Sequence, residues 1–216
     1  MYKSHKVIFK SYASYITLNK LTPKTKNIWI IFHGYGQLSK FFIRRFDILD
    51  QNENFIIAPQ GLSKFYTDKD YKNVGASWLT REDKNIDFKS QLSYLSSVID
   101  DILDKKNIKK CKFNLFGFSQ GVSTLCRLTK KINFKVNNII MWAGWIPSEF
   151  FKLSPESCKN SKYIYVMGKK DKYYDLKLIN EYKKKFVKKN YRFNYELFDG
   201  EHVVDRKVLK RVYEEL

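Results

Sequence analysis

One ten-residue stretch, KFNLFGFSQG at Lys112–Gly121, constrains the fold of this chain more than any other. It joins a short apolar run to a Gly-Phe-Ser-Gln-Gly pentapeptide, which fits the G-x-S-x-G pattern of a nucleophile elbow. In such an elbow a serine, here Ser119, sits on a strained turn between a strand and a helix. The flanking Gly117 and Gly121 leave this crowded turn without Cβ atoms, and apolar residues follow at helical intervals from Val122. The stretch therefore predicts a strand, a serine turn and a helix; the alternative is a glycine-rich turn whose serine caps a helix.

The remaining apolar segments alternate between strand-like runs and helical spacings, which is the pattern of a mostly parallel α/β sheet with helices on both faces. The predicted strands are Asn27–Phe32, Phe55–Ala58, Phe113–Phe116, Asn138–Trp142, Tyr163–Met167 and Arg192–Phe198. Helices are predicted within Ser39–Leu49, Phe88–Ile102, Leu176–Phe186 and Val203–Leu216. Two β-rich runs near the start, Val7–Phe9 and Tyr15–Leu18, predict an antiparallel hairpin at the sheet edge. With 216 residues, the chain is expected to form a single domain over 1–216 without a large cap.

Three residues with complementary chemistry follow predicted strands in the order Ser119, Asp171, His202. Loops at the carboxyl ends of parallel strands meet at one edge of a sheet, and this nucleophile–acid–base order is the one found in α/β-hydrolases. Because a serine hydroxyl needs a neighbouring base, we assign His202 as the base and Asp171 as the carboxylate that orients its imidazole. Asp199 remains an alternative acid, since it lies close to His202 in the sequence. His33 is expected to hold its loop by hydrogen bonding.

Glycine-rich segments at the same edge supply candidate binding groups. The loop after Asn27–Phe32 reads HGYGQ, and the backbone amides of Tyr35 and Gln120 are expected to form an oxyanion hole. The long connection over residues 61–87 is a candidate flap or groove wall.

Three tryptophans near these segments are candidate groove residues. Trp78 lies within the 61–87 connection, and Trp142 and Trp145 lie near the end of a predicted strand. For each of them, packing in the core is the alternative interpretation.

Composition limits the expected partners and compartment. The net charge of +19 comes from lysines that are spread along the chain without a recognised nucleic-acid motif, so we expect a solvated surface and no nucleic-acid partner. The alternative is a non-catalytic hydrolase scaffold that binds nucleic acid or an anionic surface. No apolar run approaches the ~18 residues of a membrane span and no signal peptide is evident, so a cytoplasmic protein is expected. Cys111, Cys126 and Cys158 lack metal-site spacing; we expect incidental thiols, no metal and no cofactor, in a monomer or homodimer.

The stretches IIFHGYGQ, GFSQG, GASW, YVMGKKD and DGEH together resemble the phospholipase/carboxylesterase family of α/β-hydrolases, small serine esterases related to acyl-protein thioesterases. They span almost the whole chain, and a glutamine after the serine is typical of that family. The resemblance implies hydrolysis of small-molecule carboxylic esters or thioesters. It also implies Ser119, Asp171 and His202 as the catalytic residues, with the amides of Tyr35 and Gln120 as the oxyanion hole.

The sequence also departs from the family pattern. Gln37 stands where members often carry aspartate, and Val122 stands where many carry glycine. After Asp171, small apolar residues and proline are replaced by Lys172, Tyr173 and Tyr174. Because that loop borders the acyl site, Tyr173 is a further candidate groove residue that would shorten or reshape the groove. Small to medium acyl chains are therefore expected, with lactones, peptides and phospholipid esters as alternatives.

Overall fold

The structure is a computed structural model that describes residues 2–104, 108, 110–153, 155–173 and 175–216, with Leu153 described by its backbone alone. Its strands are β1 (Tyr15–Leu18), β2 (Asn27–Phe32), β3 (Asn54–Pro59), β4 (Ser63–Tyr66), β5 (Val74–Ser77), β6 (Lys112–Phe118), β7 (Asn138–Trp142), β8 (Lys162–Gly168) and β9 (Arg192–Phe198). Its α-helices are α1 (Ser39–Phe42), α2 (Lys84–Leu103), α3 (Gln120–Leu128), α4 (Ser148–Leu153), α5 (Leu176–Lys188) and α6 (Arg206–Glu214). Short 3-10 helices cover Ile43–Phe46, Thr129–Lys131 and Glu156–Cys158.

A seven-stranded sheet in the order β1-β3-β2-β6-β7-β8-β9 organises the described chain. All neighbouring strands from β3 to β9 run parallel, which confirms the predicted mostly parallel α/β sheet. Every residue of β3 and of β7 is buried. Because successive side chains of a strand point to opposite faces, this burial shows that both faces of the sheet are covered.

The strand order changes direction between β2 and β6. From β2 the chain moves to β3 on one side, and it later returns to form β6 on the other side of β2. In parallel α/β sheets a crevice opens at such a point, outside the carboxyl ends of the strands. The loop that begins at His33 and the turn at Ser119 follow β2 and β6, so they flank this crevice.

The antiparallel pair at the sheet edge forms with a different partner from the predicted one. Tyr15–Leu18 pairs with β3, with Tyr15 opposite Pro59, whereas Val7–Phe9 is not a strand. Ile8 is fully exposed. The predicted hairpin is therefore wrong, because a two-stranded hairpin buries little apolar surface, while pairing with β3 packs β1 against the core.

Two connections between the strands also depart from simple helical patterning. The apolar face predicted over Ser39–Leu49 is buried as expected, but it is carried by the short α1 and a 3-10 helix in place of one long helix. The connection over residues 61–87 contains the antiparallel β4–β5 hairpin and the start of α2. Within the described ranges, none of the helices combines the length and the apolar character needed to cross a bilayer.

Candidate active site

Ser119 occupies the strained turn that the sequence predicts between β6 and α3. Its backbone has φ 53° and ψ −117°, a region that residues with a side chain rarely adopt. The Ser119 amide donates a hydrogen bond to the carbonyl of Trp142 at 2.8 Å, which ties the turn to β7. A Cβ atom at Gly117 would lie 2.7 Å from the backbone of Gly121, so the strand and helix can approach this closely only with glycine there.

The structure brings the side chains of Ser119, Asp171 and His202 into one hydrogen-bonded chain. Asp171 accepts a hydrogen bond from His202 Nδ1 at 2.6 Å, and His202 Nε2 lies 3.0 Å from Ser119 Oγ. The Asp171 side chain is fully buried, while that of His202 is 24% exposed. Asp171 also accepts from the amide of Tyr173 at 2.8 Å. A neutral imidazole held in this way carries its proton on Nδ1 and presents Nε2 as an acceptor to the serine hydroxyl.

The alternative acid lies elsewhere. The Asp199 carboxylate is exposed and forms an ion pair with Lys170 at 2.9 Å. Geometry thus separates two aspartates that sequence position alone left open.

The His33 loop packs against this turn. The ring of His33 is fully buried, and its Nδ1–H donates to the carbonyl of Gly34 at 2.8 Å while its Nε2 accepts from the amide of Gly61 at 3.0 Å. Burial lowers the pKa of His33 to about 4, so the ring is neutral near pH 7. His33 therefore holds its loop by hydrogen bonding, as expected from the sequence.

Tyr35 and Gln120, whose amides are the candidate oxyanion donors, follow two neighbouring strands of the sheet, β2 and β6. Tyr35 follows β2 in the His33 loop, and Gln120 is the first residue of α3. The first amides of a helix have no acceptor within the helix, so the Gln120 amide has no intrahelical partner. The loop before Tyr35 is stabilised by Gln37, whose Oε1 accepts from the Gly34 amide at 2.8 Å.

The sequence of this chain matches a known protein family. A sequence profile of the Phospholipase/Carboxylesterase family matches residues 16–216. The chain belongs to this family. Membership supports an ester-hydrolase function and a small-molecule substrate, and it agrees with the resemblance seen in the sequence motifs.

Solved structures share the fold at low sequence identity. Esterase PE8 matches with a TM-score of 0.69 at 15% identity, over 95% of this chain and 99% of that chain. A phospholipase/carboxylesterase from Dyadobacter fermentans gives 0.69 at 16% identity, over 96% and 97%. Acyl-protein thioesterase 2 of Zea mays gives 0.70 at 13% identity, over 94% and 97%. A search of curated protein sequences finds no match.

Two of the tryptophans that the sequence suggested for the groove of this phospholipase/carboxylesterase member instead anchor its loops. Trp78 is 1% exposed, and its indole N–H donates to the carbonyl of His33 at 2.8 Å. Trp142 is fully buried, and its indole N–H donates to the carbonyl of Val203 at 2.9 Å. Because both rings are buried, neither offers accessible surface to a substrate. An indole buried in the core must still satisfy its N–H, and here loop carbonyls accept that hydrogen bond.

The other two candidate groove residues are exposed. Trp145 is 61% exposed and Tyr173 is 58% exposed. The Tyr173 ring packs edge-on against His202, with ring centroids 5.2 Å apart, so it lies beside the candidate base. Tyr174, the next residue of this loop, lies outside the described residues.

Sequence reasoning missed two contributors to the site. Phe118 packs its ring 4.9 Å from that of His202, on the strand that carries the serine turn. The Gln120 side chain bonds the segment after β5, where its Oε1 accepts from the amide of Trp78 at 3.0 Å. The position of Phe118 next to the serine was a usable signal, whereas the contact between Gln120 and Trp78 joins parts of the chain 42 residues apart.

The cysteines are poor candidates for an alternative nucleophile. Burial raises the pKa of Cys126 and of Cys111, and it raises that of Cys158 to about 11. A thiol in this state is protonated near pH 7 and reacts slowly. Within the described ranges, His, Cys, Asp and Glu side chains do not gather in groups of three that would hold a metal ion.

Proposed function

We propose that this protein is a serine hydrolase that cleaves carboxylic esters or thioesters of small to medium acyl chains through an acyl-enzyme. The observation that carries the proposal is the continuous hydrogen-bonded chain from Asp171 through His202 to Ser119, with Ser119 at a strained turn beside the crevice. Membership of the Phospholipase/Carboxylesterase family supports the same chemistry.

Acylation begins when Ser119 Oγ attacks the substrate carbonyl carbon and its proton passes to His202 Nε2. The buried Asp171 carboxylate holds the imidazole in orientation and stabilises the imidazolium that forms. The negative charge on the former carbonyl oxygen is stabilised by the backbone amides of Tyr35 and Gln120, each worth roughly 3–4 kcal/mol of transition-state stabilisation.

The tetrahedral intermediate then collapses, and the C–O or C–S bond to the leaving group breaks. His202 gives its proton to the departing alkoxide or thiolate, which leaves an acyl group on Ser119 Oγ. In deacylation, a water molecule loses a proton to His202 and attacks the acyl carbon. The carboxylic acid is then released as Ser119 Oγ recovers the proton from His202.

Two exposed aromatic residues support a short to medium acyl groove. Trp145 and Tyr173 are the candidate groove residues that expose surface to a substrate, and Tyr173 stands against His202. A ring in this position limits the space beside the base, so a long acyl chain would have to run elsewhere.

We also assign this activity to the cytoplasm. The thiols of Cys126 and Cys158 are buried and form no disulfide, as is usual for proteins kept in reducing compartments.

The test combines covalent labelling with turnover. We expect a fluorophosphonate probe to label the wild-type protein stoichiometrically, and p-nitrophenyl acetate or butyrate to be hydrolysed faster than p-nitrophenyl palmitate. Ser119→Ala should abolish labelling and lower kcat by at least about 10⁴-fold. Ser123→Ala, which removes a serine hydroxyl four residues later in α3, is the matched control and should behave as wild type.

Other outcomes would contradict the proposed function or change the substrate class. Absence of labelling in folded wild-type protein would sink the serine mechanism. Tight, steeply salt-dependent binding of DNA or RNA without serine-dependent turnover would instead favour the non-catalytic scaffold suggested by the charge of +19. Faster turnover of lactones, peptides or phospholipids than of simple esters would keep the mechanism and change the substrate class.

A further inference from the structure

The backbone of β5 contacts the loop that carries one of the two candidate oxyanion donors. The amide of Gly36, which follows Tyr35, donates to the carbonyl of Ala76 at 2.9 Å, and Gln37 forms an antiparallel bridge with Ala76. The contact is close, because a Cβ atom at Gly75 would lie 2.5 Å from the carbonyl oxygen of Gly36. The end of β5 thus fixes the position of the Tyr35 loop.

The residues directly after Ala76 bind the segment that carries the other donor. The Gln120 carboxamide accepts from the amide of Trp78 at 3.0 Å, and its Nε2 donates to the carbonyl of Leu79 at 2.8 Å and to Ser77 Oγ at 3.1 Å. Three bonds from one side chain thereby hold the first residue of α3 against residues 77–79.

Residues 77–79 also form hydrogen bonds with α2, with His33 and with one another. The carbonyl of Trp78 accepts from Gln91 Nε2 of α2 at 2.9 Å, and the indole N–H of Trp78 donates to the carbonyl of His33. Ser77 Oγ also donates to the carbonyl of Leu79 at 2.9 Å. Residues 76–79 are therefore a fixed piece of backbone, with buried side chains at Ala76, Ser77 and Trp78.

We propose that Ala76–Leu79 is a brace that sets the spacing between the two oxyanion donors, and that the Gln120 carboxamide is the positioning group that joins it to the serine turn. This inference rests on the proposed function and adds a role for the Gln120 side chain to the role of its backbone amide. The donors belong to separate elements, yet both must lie about 2.7–3.1 Å from the developing oxyanion. A shared brace meets that requirement because it is bonded to both elements.

The chemistry of glutamine suits this position. The brace presents a donor, the Trp78 amide, beside an acceptor, the Leu79 carbonyl, and a carboxamide is the side chain that serves both at once. A carboxylate of the same shape accepts from Trp78 but repels the Leu79 carbonyl, and a thioether does neither well.

The experiment measures kcat and KM for p-nitrophenyl butyrate in the wild type, Gln120→Glu and Gln120→Met. A displaced donor weakens binding of the transition state without weakening binding of the ester, so we expect kcat to fall roughly 10- to 100-fold with KM within about twofold. The dissociation constant of a trifluoromethyl ketone, whose adduct places an oxyanion in the hole, should rise by the same factor as kcat falls. Gln51→Met, at an exposed position away from the site, is the control and should leave all three quantities unchanged.

Ser77→Ala provides a gentler variant that keeps the glutamine. It removes one bond of the brace, so we expect a fall in kcat of roughly 2- to 5-fold and a parallel weakening of the ketone. If the Gln120 variants do not fold, this variant decides the question.

The outcomes separate the two proposals. Serine-dependent turnover with unchanged kcat in the brace variants would overturn the brace alone. A rise in KM without loss of kcat would also overturn it, since that pattern reports lost ground-state binding. If Ser119 is unreactive in the wild type, the proposed function fails, and the brace fails with it because the hole then stabilises nothing.

Discussion

The loop of His33 and the loop of His202 are built alike, but their two histidine rings have different surroundings. Each begins at the carboxyl end of a parallel strand, and each histidine has both ring nitrogens bonded. Each loop is also anchored by a buried tryptophan, with Trp78 bonded to the carbonyl of His33 and Trp142 to that of Val203.

The partners of the rings make the difference. His33 is fully buried and bonds two backbone groups, so its proton has no route to a substrate. His202 is partly exposed and lies between a carboxylate and a hydroxyl, so it can take a proton on one side while its charge is stabilised on the other. The proposed base thus differs from His33 in its neighbours and its access to solvent, and not in residue type or strand-end position.

Making the partner of His202 neutral should affect activity more than any other change. In Asp171→Asn, Oδ1 can still accept from the Tyr173 amide, which turns the amide nitrogen toward His202 Nδ1. The ring must then present Nδ1 as an acceptor and carry its proton on Nε2, so it cannot take the proton of Ser119. We expect kcat to fall about 10⁴-fold, measured with p-nitrophenyl butyrate.

The same substitution should leave the fold intact. If the Tm of Asp171→Asn lies within a few degrees of that of wild type, the fall in kcat is attributed to the changed tautomer of His202. Retained turnover would contradict the role given to Asp171.

Removing the His33 ring should affect stability first. His33→Ala leaves the buried amide of Gly61 without its acceptor and opens a cavity beside Trp78. We expect the free energy of unfolding to fall by roughly 3–4 kcal/mol, measured by urea denaturation at pH 7.5. A stability equal to that of wild type would show that the loop does not depend on this ring.

The pH dependence of stability sharpens the same contrast. The pKa of His33 is about 4 in the folded protein and about 6.5 in the unfolded chain, so the unfolded state binds more protons between these values. The contribution of the neutral ring is fully present above pH 6.5 and is lost as the pH falls toward 4. Over that range we expect wild-type stability to decrease by about 3 kcal/mol relative to His33→Ala, measured from paired urea titrations. Parallel profiles for the two proteins would contradict a buried neutral histidine.

The Tyr173 ring beside His202 should influence which acyl chains are accepted. Tyr173→Ala removes an exposed ring that limits the space near the base, while Tyr173→Phe keeps the ring. We expect the alanine variant to raise kcat/KM for octanoate relative to acetate by roughly 10-fold, and the phenylalanine variant to match wild type. An unchanged chain-length profile in the alanine variant would remove Tyr173 from the groove.

Much of this fold could be predicted from the sequence, because its strands are continuous apolar runs that remain buried in any arrangement of the sheet. The serine turn was predictable for a related reason, since Gly117 and Gly121 mark a backbone that admits no Cβ atoms. The structure confirms the mostly parallel sheet, and the match to the family profile confirms the family.

The features that the sequence did not predict all depend on contacts between distant parts of the chain. Val7–Phe9 is β-rich, but whether such a run pairs depends on which strand lies beside it. Trp78 and Trp142 lie near strand ends, where a side chain can point to the crevice or to the core, and the sequence does not carry that direction. The sequence favoured Asp171 and left Asp199 as an alternative; the ion pair between Asp199 and Lys170, which only the folded chain reveals, distinguishes the two.

The positive φ of Ser119 bears on how this protein can be improved as a catalyst. A residue with a side chain pays a conformational penalty at φ 53°, and glycine would be relieved of about 1 kcal/mol of it. A library of variants selected only for survival of heating would therefore enrich Ser119→Gly, a heat-resistant protein that cannot form an acyl-enzyme. Under the proposed mechanism, selection for heat resistance and selection for turnover favour different residues at position 119, so a thermostable version has to be selected for both properties together.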